Sequence, residues 1–130
     1  MRYEIYRYFS GNNLIEFLEE EDDGRRAFEK ICAYMEEENG QLVVIDNLSW
    51  SNCACVPRQK SPLNESQTYA LLMDCKMTRL LDQASKEMGD ALLENYDAVY
   101  KELEIQAVTE VARLLGPETM DRLLRGFSYR

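Results

Sequence analysis

The chain has 130 residues, of which 15 are basic, 24 are acidic and none is histidine, so its net charge is −9. The absence of histidine excludes Ser–His and Cys–His nucleophile pairs and histidine-bearing zinc sites. The acidic balance argues against direct binding to nucleic acid, because neutralising phosphates requires clustered Lys and Arg. No apolar stretch approaches the roughly 20 residues of a membrane span, and the first residues lack the apolar core of a signal peptide. We therefore expect a cytoplasmic protein with reduced cysteines and no membrane partner.

The length predicts one domain over residues 1–130, with a β-containing half over 1–60 and a helical half over 61–130. Residues 2–9, "RYEIYRYF", are rich in aromatic and β-branched side chains and stop at a Gly/Asn turn, which predicts a strand. Residues 14–20, "LIEFLEE", fit two structures. Leu14, Phe17 and Leu18 would share one face of a short helix, whereas a hairpin would use the segment as its return strand. We favour the helix.

A helix with one buried face is predicted next, from apolar residues at i, i+3, i+4 and i+7. These residues are Phe28, Ile31, Cys32 and Met35. Residues 41–46, "QLVVID", form the continuous apolar run of a strand covered on both faces. Residues 51–56, "SNCACV", have strand character and precede Pro57, which favours a sheet edge. These two strands should be antiparallel, because only "NLSW" separates them.

The second half reads as helix throughout, but one helix from residue 64 to 115 would be about 75 Å long. Gly89 is therefore predicted to break it into an antiparallel hairpin, and Met120, Leu123 and Leu124 predict a short terminal helix. The predicted fold class is α+β. A small sheet of about three strands packs with one helix and is covered by the helical hairpin and the terminal helix.

The four cysteines are interpreted as buried thiols without metal. Cys53 and Cys55 have C-x-C spacing, which matches neither the usual zinc pair nor a C-x-x-C redox motif. A Cys₄ site would require Cys32 and Cys75, each from a predicted helix, to join that pair. In a strand, residues 53 and 55 share one face, and a buried cysteine behaves as a small apolar residue. We expect no cofactor.

The densest acidic stretch immediately precedes Gly24. It contains Glu19, Glu20, Glu21, Asp22 and Asp23. A calcium loop is disfavoured, because Lys30 occupies the position of the bidentate glutamate. The stretch is then either a solvated loop that caps the next helix electrostatically or a surface that binds a basic partner. For exposed like charges, changing the three glutamates to glutamine should leave stability equal or slightly higher.

Tyr96 and Tyr100 stand one helical turn apart. They either fill the core, as aromatic stripes at helical spacing usually do, or belong to a binding surface, where tyrosine is enriched because it buries area and keeps a polar end.

We expect a non-enzymatic protein–protein interaction module, in the style of small acidic bacterial or phage accessory proteins. Two alternatives stay open. One is an acidic inhibitor that mimics nucleic-acid charge against a basic-grooved partner, and the other is a carboxylate- and tyrosine-dependent enzyme without a recognisable motif or catalytic residue. A homodimer through the helical half is a further hypothesis, since the apolar residues there exceed one narrow stripe. The competing account is that the terminal helix folds back and hides the excess.

Overall fold

The computed structural model describes residues 1–9, 14–37, 41–48, 54–56 and 64–128. Its contacts divide the chain into two compact units, Met1–Pro62 and Leu63–Arg130. The first unit holds β1 (Tyr3–Phe9), β2 (Leu14–Glu21), α1 (Gly24–Met35), β3 (Gln41–Asp46) and β4 (Ala54–Val56). The second holds α2 (Glu65–Met88), α3 (Asp90–Glu94), α4 (Tyr96–Leu115) and α5 (Pro117–Ser128). The predicted α+β class is confirmed. The single domain over 1–130 and the covering of the sheet by the helical half stay predictions.

Among the described residues, four strands form one antiparallel sheet in the order β2-β1-β3-β4. The three predicted strands and the antiparallel pairing of β3 with β4 are confirmed. The short β4 lies at an edge of the sheet. This is the position that the proline following it in the sequence favours. The two central strands supply most of the buried apolar residues that the structure describes in this unit. They are Ile5, Tyr6, Leu42, Val43, Val44 and Ile45.

The helix that we favoured for residues 14–20 is wrong, because this segment is strand β2 and pairs with β1 as the return strand of a hairpin. Tyr6 lies opposite Phe17, and their ring centroids are 5.4 Å apart. Ile5 lies opposite Glu19, so Leu18 is an extra residue on β2. Such a bulge inverts the alternation of side chains along the strand. The extra residue places two apolar residues, Phe17 and Leu18, next to each other, and with Leu14 they match the spacing of a helical face.

Helix α1 forms where predicted, but most of the face predicted to be buried is exposed. Ala27 is its buried residue, and Ile31 is half-buried. The other three members of the predicted face are exposed: Phe28, Cys32 and Met35. The physical reason is that the side of α1 facing the sheet carries Lys30 and Tyr34, which bind carboxylates of β2. Apolar periodicity therefore predicts this helix but does not show that its polar side is the one attached to the sheet.

Gly89 ends α2 with φ 57° and ψ −129°, which confirms the predicted helix break. Beyond it, α4 runs antiparallel to α2. Nη2 of Arg79 on α2 lies 2.8 Å from both carboxylate oxygens of Glu110 on α4, so this one nitrogen donates to both oxygens of an ion pair. The predicted helical hairpin is therefore confirmed, with the five-residue α3 inserted between its long arms.

The terminal helix α5 folds back onto the other helices of its unit. Leu123 is buried, and Arg122 lies 2.9 Å from Glu65 at the start of α2. Leu124, the next residue, stays exposed. The terminal helix thus covers part of the apolar excess of the helical half, as the competing account proposes, whereas the homodimer through that half stays a prediction.

Candidate protein-binding surface

The acidic residues before Gly24 start on β2 and end at Asp23, the N-cap of α1. Glu19 and Glu21 both bind Lys30, whose Nζ lies 2.7 Å from a carboxylate oxygen of each. The hydroxyl of Tyr34 donates a further hydrogen bond to Glu19. Lys30 and Tyr34 are four residues apart on α1, so one carboxylate holds two successive turns of the helix.

These contacts change the proton affinity of each group. Hydrogen bonds from Lys30 and then from Tyr34 hold the pKa of Glu19 below its usual value. Hydrogen bonds from Lys30 and from the backbone N–H of Asp23 lower the pKa of Glu21. The two carboxylates raise the pKa of Lys30. Burial, followed by the hydrogen bond to Glu19, raises the pKa of Tyr34 to about 12. Charged carboxylates are therefore the stable form in the folded chain.

The two aspartates that follow also have partners within the chain. The backbone N–H of Arg2 donates to Asp22 at 2.8 Å. Asp23 is the N-cap of α1 and accepts from the backbone N–H of Arg25 at 3.0 Å, satisfying one of the free donors at the helix start. Of the five predicted partner-binding acids, Glu19 and Glu21 thus hold α1 on the sheet. Asp23 caps α1 and Asp22 binds the backbone of Arg2. Glu20 lies opposite Glu4 in the strand pairing.

The two predicted tyrosines lie together on the surface of the helical unit. The ring centroids of Tyr96 and Tyr100 are 5.8 Å apart, with 33° between the ring planes. The residues are 43% and 36% exposed, respectively, so they are not core residues. Just before them on α3, Leu93 is 77% exposed. We call Leu93, Tyr96 and Tyr100 the tyrosine surface.

Sequence reasoning missed Leu93. The available signal is the pair of adjacent leucines, since neighbours on a helix point in directions about 100° apart and a narrow core contact accommodates one of them. The structure buries Leu92 and exposes Leu93. The helix is interrupted at Asn95, where φ is −119° and ψ is 24°, and α4 restarts at Tyr96.

The surroundings of the tyrosine surface are acidic. Tyr96, Asp97, Tyr100 and Lys101 line a surface depression of about 440 Å³. Lys101 is the single basic residue in the sequence from 90 to 104. The same stretch carries five exposed acids: Asp90, Glu94, Asp97, Glu102 and Glu104. The local electrostatic potential is therefore negative.

The cysteines fall in different parts of the chain. Cys32 is exposed on α1, whereas Cys75 is buried on α2. Cys53 lies outside the described residues, and Cys55 is described only as a backbone position of β4. In the part of the chain that the structure describes, no three acidic or cysteine side chains are grouped to hold a metal ion. Reduced, metal-free thiols stay a prediction.

No family model matches this sequence, and no significant match to it occurs among curated proteins or solved structures. None of the described helices combines the length and apolar character needed to cross a bilayer.

Proposed function

We propose that this protein is a non-enzymatic protein-binding module and that the tyrosine surface is its docking site. The observation that supports this most directly is the exposure of Leu93, three residues before two exposed tyrosines whose ring centroids lie 5.8 Å apart. Tyrosine dominates many binding hot spots because it buries a large rigid ring and keeps a hydroxyl for a hydrogen bond. A leucine next to such a pair adds apolar area that a partner removes from water.

The charge around the tyrosine surface favours a partner with basic side chains. The five acids between residues 90 and 104 outnumber the single Lys101, so Lys or Arg residues at the rim of the partner would meet carboxylates. Complementary rim charges chiefly increase the association rate. We therefore expect a partner segment with an apolar anchor for Leu93 and the tyrosine rings, flanked by basic residues.

Nucleic-acid mimicry has less support. Glu19, Glu21, Asp22 and Asp23 make contacts within the chain, so moving them to a basic groove would require breaking these contacts. The acids beside the tyrosine surface are accompanied by exposed rings and an exposed leucine. That mixture of apolar centre and charged rim is typical of a protein–protein interface.

The experiment compares three forms of the protein in affinity capture from a native lysate: the wild type, a Tyr96→Ser/Tyr100→Ser variant, and Ile105→Ser as a matched control. Ile105 is 69% exposed on the same helix but outside the tyrosine surface. We expect a protein that the wild type and the control retain and the double variant loses. With that protein purified, loss of both rings should raise the Kd by about 10-fold or more, since each hot-spot truncation typically costs over 1 kcal/mol.

Salt dependence tests the acidic rim separately. Raising the salt concentration should lower the association rate more than it changes the dissociation rate. A partner that binds the double variant as tightly as the wild type would contradict the proposed docking site. A partner whose association rate does not depend on salt would contradict the proposed basic rim. It would not contradict the proposed apolar anchor.

A further inference from the structure

Helix α1 carries an exposed apolar stripe on the side that does not face β2. The stripe consists of Phe28, Cys32 and Met35, at spacings of four and three residues, so the three side chains share one face. Phe28 is 66% exposed and Met35 is 54% exposed. The stripe is about 10 Å long at 1.5 Å per residue.

The stripe is exposed even though α1 is firmly attached to the sheet. Ala27 is buried, and Lys30 and Tyr34 bind carboxylates of β2 from the neighbouring side of the helix. Packing on the sheet therefore leaves the large apolar side chains of α1 in water. An amphipathic helix normally buries that face.

The charges beside the stripe have opposite signs at its two ends. Arg25 is seven residues before Cys32 and Glu36 is four residues after it, so both lie on the same flank of the helix. Arg25 also contacts Glu29, but at 3.7 Å and between two exposed side chains. Such a pair is weak, which leaves the guanidinium able to bind a second carboxylate.

We propose that the stripe is covered by the same stripe of a second copy, with the two α1 helices antiparallel about a two-fold axis near Cys32. This arrangement places Phe28 against Met35 of the partner, a favourable sulfur–aromatic contact. It also places Arg25 of each copy near Glu36 of the other, so that by symmetry one such pair lies at each end of the contact. The proposal does not rest on the tyrosine surface.

The distribution of charge favours a second copy over a foreign segment. A flank with one positive and one negative end is self-complementary under a two-fold axis, because each end meets its opposite. The tyrosine surface differs, since its surroundings carry an excess of acid and therefore favour a partner of opposite charge.

The first test measures mass by light scattering behind size exclusion, from low micromolar to several hundred micromolar protein. We expect the mass to rise with concentration from 15.2 kDa towards twice that value. Phe28→Asp and Met35→Asp should each remain monomeric while keeping the far-UV circular dichroism of the wild type. Ile105→Asp, equally exposed but outside the stripe, should dimerise normally.

A charge swap tests the register of the two helices. Arg25→Glu alone and Glu36→Arg alone should each weaken the dimer by about 10-fold, because each reverses two exposed ion pairs. The double variant restores the pairs with their signs exchanged, so its dimer should approach wild-type strength. A structural role of either residue in the monomer would not produce this rescue.

Cys32 reports the position of the two-fold axis. Diamide, which oxidises two thiols to a disulfide and takes up both hydrogens, should link Cys32 of one copy to Cys32 of the other, and Cys32→Ser should abolish the linked dimer. The proposal is overturned by a monomer at every concentration, or by a disulfide from Cys32 to residue 53 or 55 of the same chain. It is also overturned by a dimer that survives Phe28→Asp and dissociates in Leu93→Asp, which would place the interface in the helical unit.

Discussion

Lys30 on α1 reaches Glu19 on β2, with 2.7 Å between its Nζ and the nearer carboxylate oxygen. Glu21 binds the same ammonium group, and the hydroxyl of Tyr34 donates a hydrogen bond to Glu19. The helix is therefore attached to the sheet through a cluster of two carboxylates, one ammonium group and one hydroxyl. Hydrogen bonds between charged groups are the stronger kind, so this cluster gives the acidic end of β2 a structural role.

The hydrogen bond from Tyr34 can be removed without changing the shape of the side chain. Tyr34→Phe should lower the free energy of unfolding by about 1.5–3 kcal/mol, the range for a hydrogen bond to a charged group. Urea denaturation measures this change. Tyr100→Phe is the matched control, because Tyr100 lies on the surface of α4, and it should leave the midpoint unchanged. Equal losses from both variants would mean that the bond to Glu19 contributes nothing specific.

The combined change of Glu19, Glu20 and Glu21 to glutamine should lower the urea midpoint at least as much as Tyr34→Phe does. This is the opposite of the outcome expected from the sequence, because two of the three carboxylates bind Lys30. Changing Glu102 and Glu104 to glutamine tests exposed acids of the helical unit and should have little effect. A triple variant as stable as the wild type would contradict this structural role. It would support the sequence-based interpretation that these carboxylates are exposed and repel one another.

Stability should fall in acid because the pKa of Glu19 is depressed in the folded chain. A group with a depressed pKa contributes stability above its unfolded value, near 4.5, and loses it as the pH falls through the folded value. Urea midpoints measured from neutral pH down to strongly acidic pH should therefore decrease. Glu19→Gln should be less stable at neutral pH and show a shallower decrease. A parallel decrease in both proteins would assign the acid sensitivity to other carboxylates.

A second loss of stability is expected in alkali. The pKa of Tyr34 is raised from 10.0 to about 12 in the folded chain. Its contribution is complete below pH 10.0 and is lost as the pH rises towards 12, because the unfolded chain releases the proton first. The raised pKa of Lys30 acts in the same direction. Tyr34→Phe should remove part of this alkaline dependence, which stability curves measured on both sides of pH 10 will show.

The strands and helices that follow a simple period could be predicted from the sequence. The apolar run of β3 and the length limit that places a break at Gly89 are examples. Strand β2 is the less favoured of two predictions, because the extra Leu18 joins two stretches of opposite alternation. Local pattern is insufficient there, and pairing with β1 decides the structure.

The candidate site was predicted in part. Tyr96 and Tyr100 are exposed together, as one of the two interpretations requires. Leu93 precedes them at helical spacing, but the sequence does not show which of the adjacent Leu92 and Leu93 meets the core. The exposure of Phe28 could not be predicted from the sequence either. A helix attached by Lys30 and Tyr34 leaves its apolar face free, and the sequence signals of a buried and an unpartnered apolar face are identical.

Gly89 and Gly126 provide a matched pair for testing the helix break. A methyl group built at either glycine meets no atom within 4 Å, so neither substitution creates a clash. Gly89 has φ 57°, and alanine there should cost about 1–2 kcal/mol of stability because L side chains rarely adopt this conformation. Gly126 lies within helix α5, where alanine should add about 0.5–1 kcal/mol through the smaller entropy of the unfolded chain. Opposite shifts of the urea midpoint are therefore expected. A gain from Gly89→Ala would mean that α2 continues past residue 89 in solution and that the hairpin turns elsewhere.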